Sequence, residues 1–145
     1  MKIFISGSIS IKKLPKIAIE KIDNIIENKY TILIGDAKGV DSLVQKYLVE
    51  KNYNDVIVYC SGDNVRKNLG QWEIKKVISK NGEKGRALYT LKDTEMSNDA
   101  DYGLMIWDEK SVGTLNNIVK MKSLNKKFYV IINDEIKTDK EFEAL

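Results

Sequence analysis

Short runs of consecutive apolar residues alternate along this chain with segments in which apolar residues return every three or four positions. The runs read as strands and the spaced segments as helices. Lys2–Ser6 is the first strand, and Tyr30–Ile34 is a continuous apolar second, the pattern of a parallel sheet covered on both faces. Asp55–Cys60, Tyr102–Trp107 and Lys127–Ile132 complete a set of five. The first helix opens at Leu14-Pro15, with proline near its first position, where a missing N–H costs nothing. Ile17, Ala18, Ile22, Ile25 and Ile26 form its buried stripe, and Val40, Leu43, Val44, Tyr47 and Leu48 repeat the spacing after the second strand. The less regular stretch from Ser61 to Leu88 predicts a helix over Gln71–Ser79, with Trp72, Ile74 and Val77 inward, then a polar turn at Asn81–Gly85. Further helices are expected over Thr90–Ala100 and Thr114–Leu124, and the polar tail from Asn133 ends in a short helix around Glu141-Phe142.

This order of elements predicts an α/β fold, a three-layer Rossmann-like sandwich with right-handed crossovers around a five-stranded, mostly parallel sheet. The expected strand order is 3-2-1-4-5, with the switch point between strands one and four. Three turns would then crowd one sheet edge: Gly7-Ser8, Gly35–Asp41 and Ser111–Thr114. Free N–H groups, helix N-termini and small side chains at such an edge suit the phosphates of a nucleotide.

Composition narrows the chemistry. The 145 residues suit one domain, 1–145, with a polar tail over 133–145 and no repeat or linker. No apolar run approaches the roughly 20 residues of a membrane span, so no membrane partner is expected. Met1–Gly7 reads as a strand rather than a secretory signal, and the lone Cys60 fits a small buried residue in a reducing cytoplasm. Histidine is absent, which excludes Ser-His-Asp and Cys-His catalysis and zinc sites built on histidine. No metal or cofactor is expected, and any proton transfer falls to carboxylates, Lys, Tyr or substrate groups. A net charge of +3 does not announce nucleic-acid binding.

The candidate ligand-binding residues follow the three turns. Gly7 and Ser8 offer backbone and a hydroxyl. Gly113 and Thr114 open a helix after a core strand, where Ser111 or Thr114 would alternatively serve only as a cap. In the middle turn, Gly35, Asp36, Ala37, Lys38 and Asp41 combine a ribose acceptor at Asp36 with a point charge at Lys38. Asp41 reads equally as a ligand contact or as a first-turn residue favouring the helix dipole. Arg66 and Asn68 follow the third strand; an arginine in a chain that otherwise uses lysine suits a planar fork on phosphate or carboxylate, or a surface salt bridge. Trp107, at the end of its strand, would line the pocket.

The loop Gly35-Asp36-Ala37-Lys38-Gly39-Val40-Asp41-Ser42 is similar to the glycine–alanine–basic–glycine–isoleucine–aspartate loop of the DNA-processing protein A (DprA/Smf) family, and Arg66-Lys67-Asn68 to that family's arginine–asparagine–arginine element. Met96–Asp101, the strand Tyr102–Trp107 and Gly113-Thr114 resemble the second half of a LOG-type phosphoribohydrolase. Over nearly its whole length the chain thus resembles the SLOG superfamily, which unites the two. LOG enzymes cleave an N-glycosidic bond with an arginine and a glutamate; the aligned positions here hold Lys92 and Asn117. An amide cannot supply the carboxylate chemistry. The resemblance therefore carries over a binding frame, including Lys92 and Asn117 as ligand contacts, but not the catalytic pair. SLOG domains without that pair include the cyclic ADP-ribose-sensing domain of Thoeris antiphage effectors.

The leading expectation is a module that binds a nucleotide or ADP-ribose-derived signal without turnover, as sensor or sponge. An N-glycoside hydrolase or transferase is the alternative, with Asp36, Asp101 or Asp108 replacing the missing glutamate. Single-stranded DNA binding is the third reading; it needs a basic groove, for which Lys120, Lys122, Lys126 and Lys127 are the available cluster. The resemblance also implies a homodimer or higher homo-oligomer.

Overall fold

The computed structural model describes residues 1–144. In chain order the elements are β1 (Lys2–Gly7), α1 (Lys16–Glu27), β2 (Thr31–Ile34), α2 (Val40–Glu50), β3 (Val56–Ser61), β4 (Glu73–Val77), α3 (Arg86–Asp99), β5 (Tyr102–Trp107), α4 (Val112–Ser123), β6 (Lys127–Ile132) and β7 (Glu135–Thr138), followed by a 3₁₀ turn at Asp139–Phe142. The strands form one sheet in the order β4-β3-β2-β1-β5-β6-β7. Every pairing is parallel except that of β7, which runs antiparallel to β6.

The expected order 3-2-1-4-5 is the interior of this sheet, as β3-β2-β1-β5-β6. Two edge strands correct the expected count of five. The helix expected over Gln71–Ser79 is instead β4, which pairs with β3 from Ile57↔Glu73 to Ser61↔Val77. Its open edge lets Glu73, Ile74 and Lys76 stand exposed, so the strand carries no alternation by which to recognise it. The tail does not stay irregular either: Asn133, at φ 55°, turns the chain back so that β7 pairs with β6.

Alternation along the buried strands sends side chains to two separate cores. Ile3, Ile5, Ile32, Ile34, Val58 and Leu104 meet Ala18 and Ile22 of α1 and Val40, Val44 and Leu48 of α2. On the opposite face Phe4, Leu33, Met105, Phe128 and Val130 meet Met96 of α3 and Ile118 and Met121 of α4. The result is a three-layer Rossmann-like α/β sandwich. Cys60 is a free, buried thiol within it. Among the described residues no helix is long and apolar enough to cross a membrane.

Candidate functional site

The carboxyl ends of β1, β2, β3 and β5 share one edge of the sheet, and Ser8 ties their turns together. Its N–H donates to Ile106 O at 3.0 Å, its hydroxyl accepts from Asp108 N at 3.0 Å, and its carbonyl accepts from Val40 N at 3.3 Å. The close approach requires glycine at position 7. A Cβ there would lie 2.5 Å from Val40 Cγ2 and 2.6 Å from Ile106 O. Gly39 plays a similar part at φ 71°, where a Cβ would lie 2.4 Å from Ile9 Cα.

Below these turns, on the α3–α4 face, lies a cavity of about 290 Å³. The turns contribute Gly7, Gly35 and Ala37, and α4 contributes Gly113, Thr114 and Asn117, with Ser111 just before it. Arg66 and Tyr89 stand at its mouth, and Lys92, Asp93 and Asp41 line its polar wall. Lys92 is 4% exposed, with its ammonium 3.9 Å from Asp36 Oδ1 and 3.8 Å from Asp93 Oδ1. The missing side chain of Gly35 makes the space for this cluster: a Cβ would fall 2.5 Å from Asp41 Oδ2 and 2.9 Å from Lys92 Nζ.

The carboxylates around Lys92 differ in their proton affinity. Burial pushes the Asp36 carboxyl up, but two hydrogen bonds from Arg66 and the charge of Lys92 outweigh it and hold the group below its ordinary value. Asp41 is raised, because burial exceeds the help of Lys92 and the Ala37 N–H. Burial also raises Asp93, to about 6, against the opposing pull of Lys92. The wall therefore combines two cations, Lys92 and Arg66, with two carboxyls, Asp41 and Asp93, whose proton affinity burial raises.

Of the residues singled out from sequence, Gly7, Gly35, Ala37, Asp41, Arg66, Lys92, Ser111, Gly113, Thr114 and Asn117 lie together on this cavity. Several others do not. Asp36 is buried behind the wall and bound to Arg66, whose N–H and guanidinium donate to its two oxygens at 2.8 Å each. Lys38 is exposed and outside the lining. Asn68 holds Trp72 instead, accepting from Trp72 N at 3.0 Å and donating to Trp72 O at 2.9 Å. Trp107 braces the turn after β5, its indole N–H donating to Ser111 O at 2.9 Å. Thr114 gives its N–H to Ser111 Oγ at 3.4 Å, so capping takes one of the helix's early donors.

The carboxylates proposed for catalysis are also elsewhere. Asp101 precedes β5 and so lies at the amino-terminal edge, accepting from Lys2 N at 2.8 Å. Asp108 accepts from Ser10 Oγ at 2.6 Å and from the Lys110 and Ser111 amides, and those bonds hold it well below the usual carboxylate range. With Asp36 neutralised by Arg66, none of the three faces the cavity. Two members of the lysine cluster also lie away from the cavity: Lys127 opens β6 at the amino-terminal edge, and Lys126 donates to the Ser97 and Asn98 carbonyls at 2.7 Å each.

Sequence reasoning missed four residues. Asp93 and Tyr89 line the cavity, and the Arg66 guanidinium carbon sits 4.8 Å from the Tyr89 ring centroid. Ser6 accepts from Asn117 Nδ2 at 2.8 Å, fixing that buried amide. Gln45, fully buried, donates to Gly35 O at 2.9 Å and Lys67 O at 3.1 Å and accepts from Leu69 N at 3.0 Å. It fastens the Arg66 loop to the middle turn. No local signal marks it, since it sits about 100° round α2 from Val44, outside the stripe of Val40, Leu43, Val44, Tyr47 and Leu48.

No family model matches this chain, and no curated protein matches it. Among solved structures it is similar to DNA processing protein A from Helicobacter pylori, described for its single-stranded DNA binding mode. The TM-score is 0.67 at 16% identity, over 90% of this chain. The two share a fold. This chain spans 64% of that neighbour's length.

Proposed function

We propose that the carboxyl-edge cavity binds a nucleotide-type ligand and does not turn it over. The observation that carries this reading is the convergence of Lys92 and Arg66 with the glycine-lined ends of β1, β2 and α4 on one cavity of nucleotide size. Lys92 supplies a buried point charge, Arg66 a planar fork, and Gly7 and Gly113 permit approach to the backbone. Tyr89 offers a ring at the mouth on which a base can stack. The amide of Asn117 and the absence of histidine support binding without turnover.

Single-stranded DNA is the second reading, favoured by the solved neighbour's binding mode. It uses the same chemistry, because each nucleotide of a strand presents a phosphate and a base. The path would run over the carboxyl edge, where Lys92 and Arg66 stand, since Lys126 and Lys127 lie elsewhere. Thermal shift with AMP, ADP-ribose and cyclic ADP-ribose tests the first reading; a ligand at 100 times its Kd adds about 2.7 kcal/mol. Fluorescence anisotropy with labelled oligothymidylate at low and high salt tests the second, for which affinity falls steeply with salt. Binding of neither class removes both readings.

A further inference from the structure

A second cavity adjoins the edge cavity. A groove of about 240 Å³ runs between α3 and α4, lined by Thr90, Thr94, Asn116, Lys120 and Ser123, and it shares Asp93, Gly113 and Asn117 with the edge cavity. The shared residues lie where the two adjoin, and Gly113 is the smallest of them. Gly113 needs no left-handed backbone, and a Cβ at that position would meet nothing within 4 Å. Glycine lowers helix stability relative to alanine, so the backbone gains nothing from it here. Gly113 is exposed, and without a side chain it adds no obstruction where the two cavities adjoin.

The two chambers differ in chemistry. The edge cavity holds the cluster of Lys92, Asp93 and Arg66. The groove presents hydroxyls from Thr90, Thr94 and Ser123, the Asn116 amide and the Lys120 ammonium, groups that suit a sugar hydroxyl and a bridging phosphate. From this adjacency we infer that the ligand is longer than one nucleotide: a second nucleotide unit, joined through phosphate, leaves the edge cavity past Gly113 and lies between α3 and α4. This inference rests on the reading of the edge cavity as a nucleotide site.

The test is isothermal titration of the full chain with AMP and dTMP and with the matching 5′-phosphorylated dinucleotides, pApA and pdTpdT. The expected result is at least tenfold tighter binding of one dinucleotide than of its mononucleotide. Asn116→Trp, at an exposed position, and Lys120→Glu should each abolish that gain and leave the mononucleotide affinity unchanged. Equal affinity of mononucleotide and dinucleotide, or a gain that survives both variants, overturns the inference while leaving the edge site intact. If no probe binds, the edge reading falls and the inference falls with it.

Discussion

Asp36 receives both the main chain and the side chain of Arg66. The Arg66 N–H lies 2.8 Å from Oδ2 and the guanidinium 2.8 Å from Oδ1. A single buried carboxylate after β2 therefore fixes the loop after β3 and aims its arginine across the cavity mouth. Asp36 positions the site rather than forming its wall.

Asp36→Asn should cost about 1–3 kcal/mol in urea unfolding, since charge-assisted hydrogen bonds are lost and Lys92 loses a counter-charge. The pH dependence has a definite sign. The folded carboxyl is held below its ordinary value of 3.8, so its contribution is complete above that pH and is lost as pH falls through the folded value. The wild-type advantage over the variant should therefore shrink in acid, and an advantage independent of pH would refute the assignment.

Gln45→Ala should destabilise the fold by about 2 kcal/mol or more, because the Gly35 and Lys67 carbonyls and the Leu69 N–H lose their partner in a buried place. Hydrogen exchange should report the change locally. Faster exchange confined to the 62–72 loop is the expected pattern, and uniform acceleration would contradict a stapling role.

Asp93→Asn should raise stability at pH 7–8 by about 1–2 kcal/mol. The folded carboxyl, raised to about 6 from 3.8, holds its proton more tightly than in the unfolded chain. Stability therefore falls as pH rises from about 4 through 6, and the amide variant is spared that loss. At pH 4 the two proteins should melt alike. On the proposed reading, an anion held beside Asp93 favours the protonated carboxyl, so binding would take up a proton. Affinity for the phosphodiester of a dinucleotide should strengthen as pH falls through 6, and the variant should show a flatter profile.

Two glycines of the cavity wall should respond in opposite directions to alanine. Gly7→Ala forces the methyl against Val40 and the Ile106 carbonyl and should cost about 1–3 kcal/mol. Gly113→Ala meets open space on a helix and should stabilise by a few tenths of a kcal/mol up to about 1. Thermal melts of the two variants suffice, and a destabilising Gly113→Ala would show a backbone requirement the structure does not contain.

The sequence by itself determined the layered architecture, the order of the interior strands and the edge on which the glycine turns gather. Continuous runs such as Ile32-Leu33-Ile34 are strands buried on both faces, and local pattern suffices for them because both faces demand the same chemistry. Their direction also carries position. Asp101 precedes a strand that Trp107 ends, so parallel pairing alone assigns it to the edge away from the cavity.

Only the tertiary structure decided which polar groups face the cavity and which hold the wall in place. Asp36, Asn68 and Gln45 differ in role because of partners about four to 30 positions away, and spacing along one element cannot show whose hydrogen bonds a carboxylate accepts. Asp93 became notable through burial beside Lys92, a property of the packed helices rather than of the residue. β4 likewise depends on β3 for its conformation, since an exposed, charged edge strand is stabilised chiefly by the ladder it joins. Burial and pairing are long-range quantities, and the chain acquires them only when its distant segments meet.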